Sequence, residues 1–107
     1  MVSVETIADR LVEYVARKAS GLPVDDIDLH RITGSSRYPI MRKVVNIVVS
    51  DIVAIQKGLI RCGICGKGPF TKRGFYLHLT RVHRSEIISM ITESYEELAK
   101  HYVPPKY

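Results

Sequence analysis

The chain is 107 residues long, carries a formal charge of +5 at pH 7 and is 46% hydrophobic. That length suits one small domain, or a small domain with an appended module. No apolar run approaches the 18 or so residues of a membrane span, and the start Met1-Val2-Ser3-Val4-Glu5 has no basic leader, so neither a signal peptide nor a membrane role is expected. A cytoplasmic location is the expectation. Asn46 is the only asparagine and Gln56 the only glutamine in a chain rich in Ile and Val. Avoidance of thermolabile amides points to a thermophilic source.

The chain taken in order begins with a helix. Val4, Ile7, Ala8, Leu11, Val15 and Ala19 fall at helical spacing, with Ser3 as a cap and Gly21 then Pro23 as a stop. The expected outcome is one apolar stripe packed on the rest of the domain, with a homodimer seam as the alternative use. Asp25 and Asp26 open a short second helix through Ile27 to Ile32, and Thr33-Gly34-Ser35-Ser36 reads as a turn. Pro39 suits the first turn of a third helix, capped by Ser36 or Arg37.

The segment Ile40 to Ile55 is dense in β-branched residues, which favour sheets. Ile40, Val44, Ile47, Val48 and Ile55 nonetheless keep a helical period, and no turn interrupts the run. The reading is a long helix stopped at Lys57-Gly58. The second and third helices with their glycine turn resemble a helix-turn-helix in outline.

Next comes Cys62-Gly63-Ile64-Cys65, followed after twelve residues by His78 and after four more by His83. Two thiolates on a tight turn and two imidazoles about a helical turn apart make a four-ligand set for tetrahedral zinc. A disulfide between Cys62 and Cys65 would close a very short loop and leave both histidines unexplained. Leu59 to Cys62 is expected as a first strand, Gly66 to Phe70 as its return, and Thr71 as the N-cap of a helix running to about His83. Ile60, Phe70 and Phe75 would form a mini-core beneath the metal.

This stretch, roughly 59 to 84, resembles a Cys2His2 zinc finger of the ββα type. Small single-finger proteins of this kind resemble what archaea and their viruses carry. The chain departs from the family where Ile60 stands for an aromatic, where Pro69 displaces the next aromatic to Phe70, and where Phe75 replaces a leucine. The resemblance implies one structural zinc on Cys62, Cys65, His78 and His83. A closed sphere of four protein ligands leaves no position for water or substrate, so no enzyme is expected.

The positive charge is centred on the same stretch. Residues 61–84 hold Arg61, Lys67, Lys72, Arg73, Arg81 and Arg84 with no acid among them. The positions at which a finger reads bases fall on Thr71, Gly74 and Leu77, with Arg73 beside them. Gly74 and Leu77 cannot hydrogen-bond a base edge through their side chains. The expectation is therefore nucleic-acid binding, DNA or RNA, chiefly to phosphates, with Tyr76 available to stack on a base. A DNA-binding regulator and an RNA- or ribosome-associated protein both fit. The alternative is a protein-interaction adaptor in which zinc is only a staple.

Beyond His83, Ser85-Glu86 opens a last helix with Ile87, Ile88, Ile91, Tyr95 and Leu98 on its apolar stripe, ended by Pro104-Pro105. It is expected to pack back on the N-terminal helices. The whole reads as α+β, mostly α. Residues 1–58 form an N-terminal helical domain, 59–84 the finger and 85–107 the C-terminal helix, in a monomer or homodimer.

Overall fold

The structure, a computed structural model, describes residues 2–101. Pro104-Pro105 lies outside the described residues. The fold is α+β and mostly α: five helices and one two-stranded antiparallel sheet among the described residues. No described helix is long and apolar enough to cross a membrane.

Helix α1 spans Val4–Ser20, with the Ser3 hydroxyl accepting from the Thr6 amide and Gly21 closing the other end at φ 80°. Glycine suits that end because a side chain strains at positive φ. The expected stripe is buried from Ile7 to Ala19, with Val4 half-buried, but Val12, Tyr14 and Ala16 are buried as well. The reason is position: α1 touches α2 (Asp26–Thr33), α3 (Tyr38–Ile52), α4 (Lys72–Val82) and α5 (Arg84–Ala99). A helix packed on several sides needs more than one apolar stripe. Small and β-branched residues at its second face let those neighbours approach. The chain's own elements cover these apolar residues.

Helix α2 starts where expected, with the Asp25 carboxylate accepting from the Ile27 amide. Helix α3 begins at Tyr38 with Pro39 in its first turn, and Arg37 caps it without a side-chain hydrogen bond. Its end differs from the sequence reading. The helix stops at Ile52, and Val53–Gln56 is a strand, β1, paired with β2, Leu59–Cys62. The register sets Val53 opposite Cys62 and Gln56 opposite Leu59. Lys57 (φ 52°) and Gly58 (φ 77°) are the two central residues of the hairpin turn, not a helix stop. Two consecutive positive φ angles give the primed turn whose twist matches paired strands.

The partner of Leu59–Cys62 is therefore the segment before it, and not Gly66 to Phe70 as expected. That later segment returns only as far as one bridge, Ile60 to Phe70, with the Phe70 amide donating to the Ile60 carbonyl at 2.9 Å.

Helix α4 lies antiparallel to α1. Its first residue, Lys72, places its side chain against Gly21 at the end of α1. Just past its far end Arg84, the first residue of α5, donates to the Asp9 carboxylate at 3.1 Å. Both spans are about twelve residues, so the two helices run alongside over roughly 18 Å. Phe75 and Leu79 of α4 are fully buried in the same core as Ile7, Leu11 and Val15 of α1 and Ile87 and Ile91 of α5. Helix α5 packs on α1 and α3, and Arg37 at the start of α3 lies 6.0 Å over the Tyr95 ring.

Candidate metal centre

Three local structures bring the four expected ligands together. Cys62 ends β2 and is 1% exposed. Its amide donates to the Lys67 carbonyl and its carbonyl accepts from the Gly66 amide, which folds residues 62–67 into a knuckle. That knuckle presents Cys65 back toward Cys62. Thr71 caps α4 by accepting from the Gly74 amide at 3.0 Å, which fixes the start of the helix and so the face on which His78 stands. His83 is the junction residue, the C-cap of α4 and the N-cap of α5 at once.

One donor atom from each of Cys62, Cys65, His78 and His83 lies within 4.8 Å of the other three. The closest named pair is Cys65 Sγ and His78 Nε2 at 3.4 Å. Ligands around a tetrahedral zinc stand roughly 3.3–3.8 Å apart. The Cys65–His78 pair already has that spacing, and the widest pair needs to close by about 1 Å. Together the four donors can hold one metal ion.

His83 supplies a test of that fit. It is 4% exposed, and its Nδ1 is 2.8 Å from Glu86 Oε1. Its Nε2 is buried with no hydrogen-bond partner among the described residues. Buried polar atoms are normally partnered, and an orphan costs about 1–3 kcal/mol. A cation between the four donors would satisfy it.

The protonation states follow from the surroundings. Burial pushes the Cys62 thiol up, partly offset by backbone hydrogen bonds at Cys65 and Ile64. A backbone hydrogen bond at Lys67, then His83, hold the Cys65 thiol down toward thiolate. Burial keeps His78 below the ordinary histidine value. For His83 burial acts in the lowering direction, but Glu86 and Cys65 together outweigh it and leave the ring above that value.

The expected mini-core is present. Phe75 is fully buried, and Phe70 stacks on it at 5.6 Å and on the His78 ring at 4.7 Å. Ile60 is half-buried against the same cluster.

The expected nucleic-acid contacts divide into two groups. Four make polar or packing contacts inside the molecule, and a fifth, Lys72, is exposed and only rests its side chain against Gly21. Arg61 donates to the Gly68 carbonyl at 3.1 Å, and Thr71 is occupied as a cap. Tyr76 is half-buried against the core, and Arg84 is paired with Asp9. Lys67, Arg73 and Arg81 are exposed and form no ion pair among the described residues. Both partners of the Arg84–Asp9 pair are about half exposed. Asp9→Ala should therefore cost no more than about 1 kcal/mol in a urea melt. A larger loss would show that the pair locks α4 onto α1 rather than decorating the contact.

Glu86 was not legible as part of the site. Its only sequence signal is its place three residues after His83, at the start of a helix, where a carboxylate is common for other reasons.

The fold and site together define a mostly helical α+β chain with one Cys2His2 cluster able to hold a metal ion. Compared with known proteins, the chain matches no family model, no curated protein and no solved structure.

Proposed function

We propose that this chain is a zinc-dependent nucleic-acid-binding protein, with a Cys2His2 finger built into a helical domain. Two thiolates and two imidazoles suit zinc, whereas hard cations such as magnesium and calcium prefer oxygen ligands. Four protein donors close the coordination sphere, which makes the ion a staple rather than a reaction centre. The binding surface would be the knuckle and the outer face of α4.

The observation that carries this reading is the exposed trio Lys67, Arg73 and Arg81 on a stretch without acidic residues. Arg73, Leu77 and Arg81 succeed one another at four-residue steps, so they form one line along α4. With Gly74 and Leu77 on this side and Thr71 occupied as a cap, the contacts would be to phosphates and carry little sequence information. The α2–α3 pair is a poorer surface for phosphates, because Asp25, Asp26 and Asp28 stand at its start.

Three phosphate contacts give a salt slope near −2.7, so affinity should fall about 40-fold between 50 and 200 mM salt. Labelled duplex DNA, single-stranded DNA and structured RNA are to be titrated at both concentrations. The combined variant Lys67→Glu, Arg73→Glu, Arg81→Glu should lose retention of all three while keeping its thermal melt. If the parent protein retains no nucleic acid at 50 mM salt, the reading fails.

One observation favours a protein-interaction adaptor instead. Ile55 and Leu59, flanking the tip of the β1–β2 hairpin, are 62% and 50% exposed. The register places them on opposite faces of the hairpin, and an exposed apolar side chain on each face suits a protein contact better than a phosphate.

A further inference from the structure

The helix that follows the second histidine is not a neutral extension of the metal site. Glu86 lies in the first turn of α5, beyond the last ligand, and its carboxylate meets the buried edge of the His83 ring at 2.8 Å. A neutral imidazole carries one proton, and which nitrogen bears it is set by what the other atoms offer. At Nδ1 the acceptor is a carboxylate. Nε2 has no hydrogen-bond partner among the described residues and faces the cluster formed with Cys62, Cys65 and His78.

We propose that Glu86 is a positioning residue for the metal: by accepting the Nδ1 proton of His83 it aims the lone pair of Nε2 at the other three donors. The ligand is then in the tautomer it needs before the ion arrives. Glu86 is carried by α5, whose Ile87 and Ile91 are fully buried against the core of α1 and α3. The grip on the metal is thereby tied to the seating of a helix that contributes no ligand. This rests on the metal-binding half of the proposed function and not on nucleic-acid binding.

A competing role exists, since a carboxylate in the first turn also favours the helix itself. Such a purely structural Glu86 would stabilise metal-free and metal-loaded protein alike and leave metal affinity alone. The full chain is to be titrated with Co2+ alone, followed by competition with Zn2+, for the parent, Glu86→Ala and Glu86→Gln. Carboxylate partners of ligating histidines typically govern 10–100-fold in metal affinity. Glu86→Ala should lose affinity by that factor, whereas Glu86→Gln, whose amide oxygen still accepts from Nδ1, should recover part of it.

Long-range 15N–1H spectra of the metal-free parent, taken at a pH where the ring is neutral, should show the His83 proton on Nδ1. That measurement needs no variant to fold, and a proton on Nε2 overturns the proposal. So does a parent that binds Co2+ alongside a Glu86→Ala variant that binds it within twofold as well. A parent that binds no metal at all overturns the metal reading, and this one with it.

Discussion

Stripping the metal from zinc-loaded protein with a chelator is expected to lower its melting temperature by at least about 20 °C. The reasoning starts from where the ligands sit. Cys62 and His83 are almost fully buried, and Cys62 belongs to the same core cluster as Phe75 and Leu79. Those two side chains tie α4 to α1, so the site cannot loosen without loosening the domain's central packing. Without an ion, four donors that now stand within 4.8 Å are left facing one another. Structural zinc contributes on the order of 10 kcal/mol in isolated fingers, and a whole small domain has only about 5–15 kcal/mol in total. If half of the zinc term survives in this larger fold, about 5 kcal/mol is lost. At about 4–8 °C per kcal/mol for a domain of this size, the shift is 20 °C or more. Cys62→Ser should reproduce it, because serine is a poor zinc ligand and keeps nearly the same volume. Circular dichroism melts with and without chelator decide the matter. A shift below about 5 °C would mean that the helices hold the fold alone and that the four residues are neighbours without a common ion.

The parts of this architecture that could be read from sequence are those set by local offsets. The spacing of Cys62, Cys65, His78 and His83 survives into three dimensions because a knuckle, one helix and the junction residue that follows it place all four. The caps Ser3, Asp25 and Thr71 act within three residues of themselves, so their partners are also sequence neighbours. What escaped was decided by distant contacts. Lys57-Gly58 is as good a helix stop as a hairpin turn, and only pairing with Leu59–Cys62 chooses between them. The β-branched run through Val53 keeps both a helical and a strand rhythm, and the choice falls at Ile52, where the Gly63 amide takes the free carbonyl. The ion pair of Arg84 could not be foreseen, because its partner Asp9 is 75 residues away. Val12 and Ala16 gave no sign that α1 would be covered on a second face. That followed from α4 and α5 running back along the same helix.

That junction at Ile52 carries the second large effect, the substitution Gly63→Ala. Gly63 lies between the two cysteine ligands, and its backbone angles are outside the left-handed region, so conformation alone does not demand glycine there. Space does. An added Cβ would stand 2.4 Å from the Asp51 carbonyl oxygen, 3.0 Å from the Ile52 carbonyl carbon and 3.2 Å from the Val53 nitrogen. All three are backbone atoms at the point where α3 turns into β1, so no side chain can swing aside. The knuckle has to retreat instead, which breaks the 2.9 Å hydrogen bond from the Gly63 amide to Ile52 and shifts both thiolates. Overpacking costs about 1–3 kcal/mol and a lost hydrogen bond about 1 kcal/mol more, so a loss of about 3 kcal/mol is expected. Gly66→Ala is the matched control. Gly66 has φ 78° and nothing within 4 Å of an added Cβ, so it incurs only the left-handed strain of about 1–2 kcal/mol. Denaturant melts should therefore rank Gly63→Ala as the more damaging, and Co2+ titration should show weakened metal binding for it beyond that of Gly66→Ala. If the two variants prove equal in both measurements, the knuckle is not braced on the end of α3. The metal site would then be a separate module leaning on the helices rather than one built onto them.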